Sequence, residues 1–504
     1  MLPIVEQAQK YLNNIAIFSN GKSFTYAQLV KDSNYFAALL LKDEKDLKEQ
    51  RIAFMVNPGF DYVKTLWAIW QAGGIAVPLC ITHPLPSLEY VLEDTAASTI
   101  VLSKEYLAVL QPYINKTNIN FIVIEEPALE ILPMVNKEQG NFSMPTIDIS
   151  RKALILYTSG TTNKPKGVVT THQNIKAQIT TLINAWEWSE NDKTICVLPL
   201  HHVHGIINVV CCSMWAGASC YFIPQFSPKL IFDLFTNNGL NVFMAVPTIY
   251  FKLMTYLESI SQKEQVALKN VMSSFRLMVC GSAALPISVM EKWEGFSGQR
   301  LLERYGMTEL GMAISNPYFG ERRAGYVGMP LPGVSIKLVN EQYEQASVDE
   351  PGEIIVKGDN VFLEYWQNQT ATQTSFTKDG WFKTGDIAVI ENGYYRIMGR
   401  NSVDIIKSGG YKISALEIEE VLRMHEHISD CAVVGIDDEQ WGELIVAALV
   451  VHDRTFFNEV ALSKWLVEKM AAYKKPRKYL LLEELPRNAM GKVVKNEVKK
   501  LFES

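Results

Sequence analysis

Short runs rich in β-branched and apolar residues alternate with helix-like stretches through most of the chain, and this alternation narrows the available folds more than any other feature. Residues 51–56, 99–102, 121–124, 194–198, 242–246 and 276–279 read as buried strands, with helical stretches such as 250–257 and 287–293 between them. Strands separated by helices imply parallel sheets covered by helices. At 504 residues the chain is too long for one core, so at least two domains are expected. The pattern changes near residue 330: 335–339, 353–356 and 387–398 suggest a small antiparallel region, and Glu391-Asn392-Gly393 is a hairpin signal. After Gly399-Arg400 comes a different unit. Ser414-x-x-Glu417 reads as a capping box before a helix to Leu422; strands at 431–435 and 445–451 and a basic tail follow. The domain boundary is placed at 400–403, giving domains 1–400 and 401–504.

The net charge of −6 argues against nucleic acid as a main partner, since phosphate backbones need a basic face, but leaves room for ATP. The seven cysteines sit in apolar runs with no Cys-x-x-Cys spacing, which reads as reduced core thiols in an intracellular, cytoplasmic protein. The start has no basic region and no secretory apolar core. The longest apolar stretch, 206–223, is interrupted by Asn208, Ser213, Gly217 and Ser219; it is expected to be a buried helix followed by a strand, not a membrane span.

Four motifs carry chemistry. The loop Tyr157-Thr158-Ser159-Gly160-Thr161-Thr162-Asn163-Lys164-Pro165-Lys166-Gly167 follows a strand-like run. Its hydroxyls, glycine-exposed backbone N–H groups and lysines can cradle a polyphosphate, although the Walker A spacing is absent. In Arg304-Tyr305-Gly306-Met307-Thr308-Glu309 the carboxylate is a natural Mg²⁺ ligand beside a triphosphate. Asp386, closing Trp381-Phe382-Lys383-Thr384-Gly385-Asp386, can accept both ribose hydroxyls. Lys492, after Gly491 near the C-terminus, offers one cation on a loop.

Together and in this order these motifs resemble the adenylate-forming superfamily of acyl-CoA synthetases, luciferases and peptide-synthetase adenylation domains. The resemblance implies an α/β fold: a large N-terminal domain of two α/β subdomains plus a small β-barrel-like region, and a small mobile α+β C-terminal domain. It implies ATP, Mg²⁺ and coenzyme A as cofactors and a carboxylic acid as substrate. By role, Thr158, Ser159, Gly160, Thr161, Thr162, Lys164 and Lys166 would hold phosphates; Gly281, Ser282, Glu303, Arg304, Tyr305 and Gly306 would frame the adenine. Thr308 would touch the α-phosphate, Glu309 and Thr162 would serve Mg²⁺, and Asp386 and Arg400 would bind the ribose. Lys492 would bridge carboxylate and α-phosphate in the first half-reaction. Lys407, Ser408, Gly409 and Gly410 would line the thiol tunnel in the second. The hinge, Gly399-Arg400-Asn401-Ser402-Val403-Asp404, is one residue longer than the usual pattern, leaving Ser402 or Val403 as the pivot.

For the acid, residues 200–208, 242–250 and 399–417 look like the malonyl-CoA synthetase group, implying malonate or methylmalonate. His202 would gate the acyl tunnel; His204, Ser282 and Met307 would line it. A second carboxylate must be paired on burial, and arginine can hold one bidentately. Arg322, in Glu321-Arg322-Arg323-Ala324-Gly325, is taken as the inward cation, with Arg323 next in line. The competing readings are a medium- or long-chain fatty acyl-CoA synthetase and a stand-alone adenylation enzyme loading a separate carrier protein.

Overall fold

The computed structural model describes residues 1–124, 144–158, 165–223, 225–347, 350–487 and 492–503. Among these, the strands form four sheets. The first has Thr99–Ser103, Arg51–Met55, Ile75–Pro78 and Lys152–Thr158 in parallel at its centre, and Lys166–Thr171 and Glu364–Tyr365 added antiparallel on one side. The second runs parallel through Ile15–Ser19, Ser219–Phe222, Lys193–Cys196, Val242–Ala245, Leu277–Cys280 and Leu302–Met307, then turns antiparallel into Gly311–Ser315. The parallel strands are continuous apolar runs because helices cover both faces. Ile52, Phe54, Trp67, Trp70, Trp186, Val242 and Leu277 lie in one core.

Two such sheets place their functional loops where ligands bind in α/β proteins, beyond the carboxyl ends of parallel strands. Lys152–Thr158 leads into the phosphate-loop motif, Leu277–Cys280 into Gly281-Ser282, and Leu302–Met307 into Thr308-Glu309. The stretch read as helix then strand is π-helical over His204–Cys211, α-helical over Cys212–Ala216, and returns as Ser219–Phe222, all but Trp215 and Ser219 buried. A π-helix is rare and tends to mark a functional site.

The third sheet is antiparallel, in the order Ser335–Val339, Gly352–Lys357, Phe382–Glu391, Tyr394–Arg400. Asn392 and Gly393 form its two-residue hairpin, both with positive φ (53° and 82°), as a type I′ turn requires. The fourth sheet belongs to the C-terminal part and pairs Ile428–Asp438 with Gly442–Val451. The expected capping box is only half formed. Ser414 Oγ accepts from Glu417 N at 3.2 Å and caps Ala415–Arg423, but the Glu417 carboxylate turns to Lys474 Nζ at 2.6 Å instead of reaching back. A full positive charge attracts the carboxylate more strongly than the cap's own N–H. All seven cysteines are free and buried, and among the described residues no helix is long and apolar enough to cross a membrane.

Candidate active site

Ser282 ends the Leu277–Cys280 strand with φ +70°, a left-handed conformation uncommon for a residue with a β-carbon. The neighbouring Gly281 is required by space: a β-carbon there would lie 2.8 Å from the guanidinium carbon of Arg304. Arg304 Nη2 donates to Ser282 Oγ at 3.2 Å, and that hydroxyl lies 3.0 Å from His204 Nδ1. Arginine has no lone pair to offer, so the Ser282 hydroxyl accepts from it and shares a second hydrogen bond with Nδ1. His204 Nε2 has no hydrogen-bond partner among the described residues. Burial holds its pKa well below the ordinary value, so it is neutral.

Arg304 is 3% exposed, makes no ion pair among the described residues, and its Nε has no hydrogen-bond partner. Burial lowers its pKa to about 10, so it stays charged at neutral pH. Its neighbour Glu303 forms no ion pair with it, although each charge favours the ionised form of the other. Burial first, then the charge of Glu420, raises the Glu303 carboxyl to about 8, while Leu285 N donates to Oε1 at 3.2 Å. Among the described residues the site thus holds a buried guanidinium in no ion pair and, in His204 Nε2, a second buried nitrogen without a hydrogen-bond partner.

The histidines diverge. His201 packs against His202 with ring centroids 4.1 Å apart and planes tilted by 50°, and lies 6.0 Å from His83, while His204 goes to Ser282. Burial, then the charges of Lys492 and His83, lower His202 to about 4, so the ring feels the lysine's charge. Lys492 is itself depressed by burial, then by Arg400 and Arg304, and raised by Asp386. The C-terminal part therefore delivers Lys492 to the N-terminal site. Glu420 accepts from Ile287 N at 3.3 Å and Lys412 pairs with Glu341 at 2.7 Å across the same junction.

Asp386 is buried. Its two oxygens accept from Tyr305 Oη at 2.6 Å and Arg400 Nε at 3.1 Å. Gly306 is forced, because a β-carbon would stand 2.0 Å from Gly311 O. Thr308 and Glu309 occupy the turn between Leu302–Met307 and Gly311–Ser315, with Met307 half-buried at the strand end. Glu309 is 6% exposed; burial raises its carboxyl, and the bond from Tyr365 Oη, 2.9 Å from Oε1, works the other way. A hard carboxylate oxygen beside a phosphate loop suits Mg²⁺, which needs one or two protein carboxylates and takes the rest from phosphate and water.

Thr158 and Lys166 are paired across the antiparallel strands, Thr158 Oγ1 3.5 Å from Lys166 O. Ser159, Gly160, Thr161, Thr162 and Lys164 lie outside the described residues. Lys166 Nζ sits 5.0 Å from the centroid of the Tyr365 ring. Lys407, Ser408, Gly409 and Gly410 form the end of a C-terminal hairpin whose flank, Lys407 and Lys412, faces Glu341; both glycines have positive φ (58° and 83°).

Arg322, expected to face the acyl pocket, is held by backbone carbonyls in this structure. Its guanidinium donates to Arg300 O at 2.8 Å and Tyr318 O at 3.2 Å, closing the backbone around its own loop. Arg323 packs over the rings of Tyr394 and Tyr326, 4.3 and 5.2 Å from their centroids, and pairs with Glu321 at 3.2 Å. Both satisfy local partners, whereas Arg304 keeps an unpartnered Nε among the described residues. Tyr365 also escaped the sequence reading, because a tyrosine before a tryptophan in a strand-like run reads as core.

Residues 4–366 match the model of the AMP-binding enzyme family, and residues 417–492 match that of the AMP-binding enzyme C-terminal domain. The chain belongs to the AMP-binding enzyme family. Malonate–CoA ligase ACSF3, mitochondrial, from Homo sapiens is 41% identical to this AMP-binding enzyme, over 99% of this chain and 92% of the relative. The crystal structure of ATP-bound MatB from Rhodopseudomonas palustris superposes with a TM-score of 0.89 at 29% identity, covering 100% of this chain and 99% of that one. A malonyl-CoA ligase ternary product complex with methylmalonyl-CoA and AMP bound is 33% identical and gives 0.69, covering 97% of this chain and 100% of that one.

Proposed function

We propose that this AMP-binding enzyme is an ATP-dependent acid–CoA ligase that converts malonate, or its 2-methyl homologue, to the CoA thioester. The observation that carries the choice of acid is the buried guanidinium of Arg304, in no ion pair among the described residues and hydrogen-bonded to Ser282 beside His204. A buried cation without a counter-ion is costly and is expected to be completed by a ligand's charge. A dicarboxylate supplies it: one carboxylate reacts while the other takes Arg304, beside the unpartnered Nε2 of His204. A fatty acid would bring only methylenes to this spot. Arg304 is thus moved from the adenine frame to the acyl pocket, in place of Arg322. The human relative's name, which includes malonate and ligation to CoA, supports this reading.

The acid's reacting carboxylate attacks the α-phosphorus of ATP. The bond to pyrophosphate breaks, and an acyl-adenylate forms. Lys492, beside His202, Arg304 and Asp386, offsets the repulsion between the two anions. Tyr305, Arg400 and Asp386 hold the ribose, Thr158 to Lys166 the phosphates, and Glu309 would hold Mg²⁺. When bound, that ion neutralises charge on the departing pyrophosphate. The coenzyme A thiol then attacks the acyl carbon and AMP leaves. We take 1–400 and 401–504 as the bodies that move between these steps, pivoting at 402–403. The TM-score is higher with the ATP-bound structure (0.89) than with the product complex (0.69), which supports an adenylate-forming arrangement here. The human relative is named mitochondrial; free buried thiols suit a reducing compartment, and we keep the cytoplasm for this chain.

The test is ATP–pyrophosphate exchange and thioester formation with malonate, methylmalonate, acetate, octanoate and palmitate. Malonate or methylmalonate is expected to lead in kcat/KM; preference for octanoate overturns the dicarboxylate reading, and transfer only to a carrier-protein thiol overturns coenzyme A as acceptor. Arg322→Ala is expected to leave kcat/KM for malonate within about threefold. Its cost falls instead on stability, about 1–2 kcal/mol for two hydrogen bonds to carbonyls, read by denaturant unfolding.

Gly409→Leu separates the half-reactions. A β-carbon at Gly409 would lie 3.1 Å from the Trp441 ring, and φ is +58°. Leucine there narrows the proposed thiol path and strains the hairpin without touching Asp386 or Glu309. Exchange should persist and acyl-CoA production should fall at least about a hundredfold, since a misplacement of only an ångström can cost that much. Equal loss in both assays places the thiol path elsewhere.

A further inference from the structure

We propose that Tyr365 is a positioning residue that orients Glu309 for the divalent cation accompanying ATP, which makes the phosphate-binding arm and the metal carboxylate one mechanical unit. This rests on the reading of Glu309 as the metal-holding carboxylate. Tyr365 is 8% exposed and spends its hydroxyl on Glu309 Oε1, at 2.9 Å. The same short segment grips Glu309 by its backbone, Phe362 N donating to Glu309 O at 2.7 Å. Glu309 is thus fixed at main chain and side chain by residues three apart.

The other side of Tyr365 faces the phosphate arm. Glu364–Tyr365 is an edge strand paired antiparallel with that arm, Tyr365 opposite Val168. The arm's Lys166 lies two residues before Val168 and holds its ammonium 5.0 Å from the Tyr365 ring centroid. Trp366 N donates to Gly167 O at 2.7 Å and extends the pairing. Gly167 has no room for a side chain, because a β-carbon would lie 2.9 Å from Ile155 and 3.1 Å from Trp366. A shift of the arm therefore carries the ring with it, and the ring's hydroxyl turns the carboxylate.

Such orientation matters for a small cation. Mg²⁺ demands near-ideal octahedral geometry, so a carboxylate free to rotate holds it poorly. One hydrogen bond to Oε1 fixes the torsion and leaves the remaining lone pairs to the ion. Removing an outer-shell partner of this kind ordinarily costs about 10–100-fold in metal affinity.

Isothermal titration of the full-length enzyme with ATP, with and without Mg²⁺, tests the proposal. The quantity read is the gain in ATP affinity that Mg²⁺ confers. Tyr365→Phe keeps the ring that covers Lys166 and is expected to cut this gain about tenfold or more. Affinity for AMP, which needs no metal, should stay within about twofold of wild type. Glu309→Gln, measured beside it, should lose most of the gain. Tyr365→Phe keeping the whole gain while Glu309→Gln loses it overturns the proposal. So does a parallel loss of ATP and AMP affinity, which is what a merely structural residue would give. Glu309→Gln keeping the gain overturns the metal reading of Glu309, and the Tyr365 proposal with it. A variant that melts early is titrated below its transition, where the ratio is still defined.

Discussion

Lys492→Ala should reduce ATP–pyrophosphate exchange with malonate by about 10²–10³-fold or more, the range seen when one preorganised charge-stabilising donor is lost. Thioester formation from preformed malonyl-adenylate should be nearly unchanged. The asymmetry follows from where the lysine sits. Burial and the cations Arg400 and Arg304 push its pKa down, so the site holds it against electrostatic cost. That cost is offset when two anions, the acid's carboxylate and the α-phosphate, arrive beside it. In the second step the nucleophile is a thiol and the leaving group is AMP, so the incoming charge that Lys492 balances is gone.

The scaffold presents the lysine through specific contacts. Lys495, three residues on, is buried between Asp404 at 2.6 Å and Glu419 at 2.7 Å, and Asp404 in turn caps Arg400 N at 2.9 Å. The lysine-bearing segment is thereby tied to the hinge turn itself. Single-turnover assays of each half-reaction check the prediction, and equal losses in both would refute the division of labour.

How much of this was legible in the sequence depends on whether a feature is local. Parallel strands announced themselves because both faces are covered and their residues run apolar without a break. Asn392-Gly393 announced its hairpin because few other pairs tolerate positive φ at both positions. Ser414-Glu417 misled by half: the serine caps, but a lysine 57 residues along the chain competes for the glutamate. Long-range competition of this kind leaves no trace in a four-residue pattern. The same holds in the site. Asp386 and Glu309 stood out because acids at glycine turns or after a strand are few and chemically useful. Tyr365 was hidden because its partner lies 56 residues away, and only sheet pairing brings them together.

The arginines show the limit most clearly. Arg322 and Arg323 drew attention because an exposed-looking pair of cations asks for a partner. The structure gives each one locally, in carbonyls for Arg322 and in aromatic rings and Glu321 for Arg323. Arg304 sits inside a motif already assigned to nucleotide binding, so its charge was absorbed into that reading. What sets it apart is a buried guanidinium with no ion pair and an Nε without a hydrogen-bond partner among the described residues. That can be judged only once burial and the contact with Ser282 are known together.

Arg304→Met is accordingly expected to separate substrate choice from stability. The distal carboxylate would enter a pocket without a cation, and an unpaired buried charge costs about 3–5 kcal/mol, so kcat/KM for malonate should fall by a factor of hundreds or more. Exchange with butyrate, which brings no second charge, should fall little or rise, because the mutant pocket no longer requires an anion. The folded protein should melt no lower than wild type. Wild type buries a guanidinium whose Nε has no partner, and replacing an uncompensated buried charge by an apolar side chain of similar length is often neutral or stabilising. Loss of activity without loss of stability is the signature of a residue kept for its ligand. Steady-state kinetics on malonate and butyrate, with a thermal melt of the free enzyme, give all three readings. A malonate rate within tenfold of wild type would return the distal carboxylate to another cation. Equal loss with both acids would place Arg304 in the adenylation chemistry itself, beside the Lys492 whose charge it already feels.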